Sequence, residues 1–261
     1  MQSSVRHLAD TFHSWFPLRD RVAEGWLLTG SPLSIALITA TYVCFVTVAG
    51  PRWMSDRKAF DLRRCVLLYN VFTTFFSAYF MCRFLKLGYW DLGHTFLQDM
   101  DRSDSPASLE IKRLSWWLYL FKLSELSDTV FFVLRKNNRQ ISTLHVAHHV
   151  IVSWNMWLNV TYGAQAQAMF ITCFNSFVHV FMYSYYFLAA LGPAFTTYLW
   201  WKKYLTMVQI AQFVILFGHA IGMALAEGNY VVSFVWIELA EALFFLLWFM
   251  AFYSNAYKKN V

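Results

Sequence analysis

Apolar stretches long enough to cross a bilayer constrain this chain more than any other feature. A helix needs about 20 mostly apolar residues to span the hydrocarbon layer. The sequence offers seven such stretches, at 30–50, 65–85, 115–134, 143–160, 165–190, 203–222 and 231–254. Inside lipid, backbone amides are satisfied only within helices or closed barrels, and these stretches have helical length. The expected fold is all-α, a polytopic membrane protein with seven transmembrane helices. Composition agrees, with only 14% of residues charged against roughly 25% in a soluble domain. The fourth stretch is short and its neighbours carry polar residues, so hydropathy alone permits five to seven spans.

Charge between the stretches chooses among these counts. Arg52, Arg57, Lys58, Arg63 and Arg64 follow the first span, and Arg135, Lys136 and Arg139 follow the third. Lys202 and Lys203 precede the sixth, and Lys258 and Lys259 follow the seventh. With seven spans all of them fall on one side, which the positive-inside rule makes cytosolic. Residues 1–28 are then an amino-terminal luminal segment, 29–255 the seven-span domain and 256–261 a cytosolic tail. Residues 1–28 are too polar for a signal-peptide core, so no cleavable leader is expected. The loop 91–113 mixes acidic and basic residues and is expected to be luminal and partly irregular.

The net charge of +6 sits in short runs between apolar spans, so no nucleic-acid partner is implied. Cys44, Cys65, Cys82 and Cys173 show no metal or redox spacing and read as buried thiols. Asn159-Val160-Thr161 is a glycosylation sequon, placed too near the membrane for use.

Polar residues concentrate on four consecutive spans. The third carries Lys122, Glu125, Asp128 and Thr129; a lysine and two carboxylates in a membrane helix must neutralise one another or face water. The fourth begins with His145, His148 and His149, which helical spacing puts on one face. On the fifth, Asn175, His179, Met182, Tyr183 and Tyr186 form a stripe, while Tyr185 reads as packing. The sixth carries Thr206, Gln209 and Gln212 at intervals of three. His219 reads as structural, and Glu238 and Glu241 as isolated. Asp128 to Lys122 lie 7 to 13 residues in from Arg135, on the order of 10–20 Å at the helical rise. The histidines, His179 and the glutamines fall at comparable depth, so one cavity open to the cytosol accommodates them all. The basic loops would ring its mouth and attract a phosphate-bearing substrate.

Two chemistries suit such a constellation. A metal-dependent membrane desaturase or hydroxylase uses histidine boxes, and imidazole with carboxylate suits iron or zinc. Here only His145, His148, His149 and His179 converge, too few for a two-iron site; one mononuclear site with Glu125 or Asp128 as carboxylate stays open, and the favoured reading takes no metal. Metal-free acyl transfer needs less. An imidazole in an apolar site stays neutral and acts as a base or nucleophile. A carboxylate orients it, and amides or hydroxyls stabilise an oxyanion. A non-enzymatic seven-span transporter with a histidine proton path is a third reading, disfavoured because the polar residues cluster at one depth.

Four blocks resemble motifs of the ELOVL fatty acid elongases. Lys122-Leu123-Ser124-Glu125-Leu126-Ser127-Asp128-Thr129 is similar to their KxxExxDT motif, and Leu144 to His149 to their HxxHH box. Asn175 to Tyr186 resembles NxxxHxxMYxYY, and Thr206 to Gln212 resembles TxxQxxQ. All four occur in the family's order; Ala147 stands where the family usually has tyrosine.

The resemblance implies seven spans, six closing into a helical barrel around a substrate tunnel with the first outside. It implies residence in the endoplasmic reticulum, with which Lys258 and Lys259 agree as a dilysine retrieval signal. It implies condensation of malonyl-CoA with a long-chain acyl-CoA to give 3-oxoacyl-CoA, CO2 and CoA, without a cofactor. The implied roles are His148 as acylated nucleophile and His179 facing it across the cavity. His145, His149, Asp128 and Glu125 would position the rings. Lys122, Asn175, Met182, Tyr183, Tyr186, Gln209 and Gln212 would bind substrate. The membrane lipid, a homodimer and the other elongation-cycle enzymes are the implied partners. The segments Asn175 to His179 and Tyr198 to Trp201 are more similar to the very-long-chain and polyunsaturated branch than to the palmitate branch.

Overall fold

Serine and proline start several of the helices, and glycine ends one of them. A computed structural model describes residues 15, 17–99, 101, 103–228 and 230–257. The dilysine pair, Arg102, and the histidines at positions 7 and 13 lie outside these residues. Among the described residues every regular element is helical. A short helix α1 (Arg21–Glu24) is capped by the Asp20 carboxylate, which accepts from Val22 N and Ala23 N. Helix α2 (Pro32–Met54) opens on a Ser31 cap followed by Pro32, the preferred pairing at a helix start. It passes through wider π-type turns at Phe45–Ala49.

Helix α3 (Arg63–Phe84) runs on through similar turns to Asp91. Helix α4 (Pro106–Ser124) is separated from α5 (Ser127–Leu134) by a break at Glu125 and Leu126. The third expected span is thus two helices, and residues 106–113 of the expected loop are helical. Helix α6 (Thr143–Tyr162) starts at Ser142, whose hydroxyl accepts from His145 N. It stops at Gly163, whose φ of +78° glycine adopts without steric cost. Helices α7 (Met169–Ala190), α8 (Lys202–Leu225) and α9 (Val232–Tyr257) complete the chain.

Packing follows the apolar faces. Helix α3 lies along α7 and α8 along α9, and α4 packs on α6. Smaller contacts join α7 to α8, α3 to α4, and α2 to α6. One apolar cluster joins Phe80, Phe84, Leu118, Phe121, Met169 and Cys173. A second joins Tyr42, Val46, Met54, Val133 and Val146. Gly50 permits the close approach of α2 and α5, since a Cβ there would lie 2.8 Å from Val133 Cγ1. At the C-terminus of α7, Arg63 donates to the carbonyls of Ala190 and Leu191, two acceptors that the helix cannot satisfy itself.

The outer surface is apolar, with Leu68, Phe75, Trp117 and Leu247 all more than half exposed, as lipid contact requires and water does not tolerate. Four helical stretches, Pro32–Met54, Arg63–Asp91, Thr197–Leu225 and Val232–Tyr257, are long and apolar enough to cross a membrane. The chain is a multi-pass membrane protein. The remaining expected spans are also helical, but their lysine, carboxylates, histidines and tyrosines lower their hydropathy. Cys44, Cys65 and Cys82 are exposed on the outer surface, contrary to the expectation of buried thiols, which holds for Cys173. Hydrophobic character alone does not distinguish a core-facing thiol from a lipid-facing one.

Candidate active site

The Ser142 cap places the three histidines in the first two turns of α6. They do not share one destination. His148 lines an interior cavity, its ring 5.3 Å from that of Phe245 on α9. His145 and His149, four residues apart, meet edge to face at 4.4 Å on another side. His149 is 6% exposed and packs on Tyr42 of α2, while His145 packs on Phe132 of α5. His145 Nε2 is buried with no hydrogen-bond partner.

The α4–α5 break puts Glu125 beside Lys122 and both beside α7. Lys122 Nζ donates to Glu125 Oε1 at 2.9 Å and lies 3.1 Å from His179 Nδ1. His179 Nδ1 is 3.5 Å from the same carboxylate oxygen, long for a hydrogen bond. An ammonium group only donates. With Lys122 charged, Nδ1 therefore accepts, and the His179 ring hydrogen resides on Nε2. All three side chains are at most 6% exposed, and a buried charge needs such a partner. His148 lies within electrostatic reach of Lys122, His179 and Glu125.

Asp128 faces a tyrosine. Tyr183 OH donates to Asp128 Oδ2 at 2.7 Å, and the Tyr69 ring of α3 stands edge-on to Tyr183. Thr129 Oγ1 is 2.7 Å from Tyr42 OH. Tyr42 and Tyr69 escape sequence reasoning because their partners Thr129 and Tyr183 lie on other helices, although Thr39 before Tyr42, and Asn70, Thr73 and Ser77 after Tyr69, mark buried polar faces. Gln209 Nε2 donates to Met182 Sδ at 3.6 Å. Tyr186 contacts the Tyr183 ring and is 37% exposed.

Of the candidate residues, Lys122, His148, Asn175 and Gln212 line the cavity. His179, Glu125, Asp128, Met182, Tyr183, Tyr186 and Gln209 are not among its lining. His179 stands behind Lys122 and does not face His148 across open space. Beyond this end the walls are apolar, with Leu118, Val152, Ile171, Phe213 and Leu216. At the far end polar groups return, including Asn155, Asn159, Gln167, Glu238 and Glu241. The sequon asparagine is therefore turned inward.

The two glutamates are not isolated. His219 Nδ1 is 2.8 Å from Glu238 Oε1, and His219 Nε2 is 2.7 Å from the Phe96 carbonyl oxygen. Asn155 Nδ2 donates to Glu241. Helical periodicity reports the face of a residue and not its partner on another helix. Among the described residues, no three histidine, cysteine or carboxylate side chains gather in a metal-holding arrangement. A neutral imidazole at the wall of an apolar cavity, with amides along the same wall, suits nucleophilic acyl transfer.

Comparison with known proteins bears on this chemistry. The family model described as the GNS1/SUR4 family, ELO, matches residues 27–261. Very long chain fatty acid elongase 7 of Rattus norvegicus is 41% identical over 253 residues, covering 95% of this chain and 89% of that protein. A very long chain fatty acid elongase of Aedes aegypti is 38% identical over 97% of this chain and 71% of its own length. Very long chain fatty acid elongase 4 of Homo sapiens is 38% identical over 95% of this chain and 79% of its own.

Proposed function

The chain belongs to the GNS1/SUR4 family of fatty acid elongases, and from that membership we propose that it is a metal-free 3-oxoacyl-CoA synthase acting through an acylated histidine. His148 attacks the thioester carbon of a long-chain acyl-CoA. The C–N bond forms, the C–S bond breaks, and CoA leaves as the thiol with the imidazole hydrogen. Malonyl-CoA then loses CO2, and the electron pair of the broken C–C bond remains as an enolate. The enolate carbon attacks the acyl-imidazole carbonyl, and the C–N bond breaks. The imidazole leaves with a proton taken from water, and 3-oxoacyl-CoA departs two carbons longer. Decarboxylation supplies the carbanion, so no strong base is required.

The observation that carries this reading is the position of His148 at the wall of an otherwise largely apolar cavity, beside Lys122, Asn175 and Gln212. The two amides are the candidate donors to the thioester oxygen. Lys122 and Glu125 hold His179 in one tautomer, and the three together fix the Lys122 ammonium group at the cavity wall. Tyr183 and Gln209, committed to Asp128 and Met182, support the wall and do not contact substrate.

The same reading takes seven helices as spans, with α4, α6, α9, α8, α7 and α3 around the tunnel and α2 outside. What supports it is the order of neighbours. Each of these helices packs on the next, with α6 meeting α9 through His148 and Phe245. It places the carboxyl terminus in the cytosol and the protein in the endoplasmic reticulum membrane, as a homodimer alongside the other elongation-cycle enzymes.

The test is purified, metal-stripped protein with radiolabelled malonyl-CoA and a panel of acyl-CoAs. Label in a 3-oxoacyl product is the expected result. No incorporation with any acyl-CoA overturns the proposal.

A further inference from the structure

The far end of the cavity carries polar groups that a plain hydrocarbon chain cannot use. Glu238 and Glu241 occupy one face of α9, three residues apart, and both line the cavity. Glu238 is held from behind. The Phe96 carbonyl accepts from His219 Nε2, so His219 Nδ1 either donates to a carboxylate or accepts from a carboxylic acid at Glu238 Oε1. Either form leaves the other Glu238 oxygen as an acceptor. Glu241 is fixed in the same way by Asn155 Nδ2, which leaves the Asn155 oxygen and the second Glu241 oxygen uncommitted.

Gln167 is an independent observation on a different segment. It is 3% exposed, and its Oε1 accepts from Val231 N at 2.9 Å. Its amide nitrogen is bonded to no other described side chain, and the residue lines the same cavity. This end therefore presents both acceptors and a donor. Polar groups facing an apolar channel without partners are costly, and a channel for methylenes alone has no use for them.

The distance from the reacting group follows from helix geometry. Asn155 and Asn159 lie 7 and 11 residues beyond His148 on α6, about 10 and 16 Å along the axis. An extended chain advances about 1.2 Å per bond, as the backbone does, so this zone meets roughly carbons nine to fourteen of an acyl group whose first carbon is at His148.

We propose that this end of the cavity is a subsite for a hydroxyl group on the acyl chain, so that the preferred substrate is a mid-chain hydroxylated acyl-CoA. A hydroxyl both donates to a glutamate oxygen and accepts from the Gln167 amide. Sites built around a substrate hydroxyl reject the analogue that lacks it, because their own polar groups are then left unpaired. The inference rests on the condensing reading above and names its substrate class.

The experiment compares octadecanoyl-CoA with its isomers hydroxylated at carbon two, at carbon ten and at the terminal carbon, each with radiolabelled malonyl-CoA. The expected result is a kcat/KM at least tenfold higher for the ten-hydroxy chain than for the other three. In Glu241→Leu the ratio of ten-hydroxy to plain chain, measured in one preparation, falls to about threefold or less, and Glu241→Gln retains most of it. Equal rates across the wild-type panel overturn the inference alone. A ratio unchanged in Glu241→Leu also overturns it. No product from any chain overturns the condensing reading, and the inference with it.

Discussion

Lys122, Glu125 and His179 form a buried group in which each member depends on the others. Replacing Lys122 by methionine leaves the Glu125 carboxylate buried and unpaired, at an expected cost of about 3–5 kcal/mol. Thermal unfolding in detergent measures it. The double variant Lys122→Met, Glu125→Leu removes both charges and should recover most of the loss, though not the activity. His148→Ala should abolish labelled product while leaving the melting temperature close to that of the parent; near-normal turnover would refute the acylated histidine. The Lys122 and Glu125 pairing was readable in advance, since a lysine and a carboxylate three residues apart meet on a helix. The divergence of His148 from His145 and His149 was not. Residues three and four apart share a broad face, and only the neighbouring helices decide which ring reaches a cavity. Asp128 finding Tyr183 was likewise hidden, because 55 positions separate them.

At the scale of elements, local signals read well and their exceptions have causes. Ser31 with Pro32, Ser105 with Pro106, and Ser142 mark helix starts, and Gly163 marks a stop. The break at Glu125 and Leu126 had no such mark. No proline or glycine stands there, and the surrounding packing interrupts a stretch whose hydropathy reads as continuous. Gly50 carries no such mark either, since only the packing of α5 against it requires a glycine. Gly50→Val should force α2 away from Val133 of α5 and clash with the Phe45 carbonyl of α2 itself, for about 1–3 kcal/mol of lost stability. A lowered melting temperature with unchanged acyl-chain preference is the expected readout, since neither helix lines the cavity. A changed chain preference would mean that α2 shapes the tunnel after all.

For the whole molecule, helical class and membrane character were legible from the length of the apolar stretches. The closure of the cavity was not, because it depends on which helices become neighbours. Ala242 illustrates this. It is 4% exposed and lines the cavity between Glu241 and Phe245, yet alanine in an apolar run carries no signal. Ala242→Phe should fill the channel and shorten the longest acyl chain elongated, as read by mass spectrometry of products from a chain-length series. An unchanged product profile would place the acyl group elsewhere. Helix α2 has a different standing. It supplies nothing to the cavity wall, yet its Tyr42 covers His149 and holds Thr129. It shields the histidine turn, with Tyr42 packed over the His149 ring on the side away from the cavity. A helix with no place on the cavity wall thus still fixes the surroundings of the turn that carries His148.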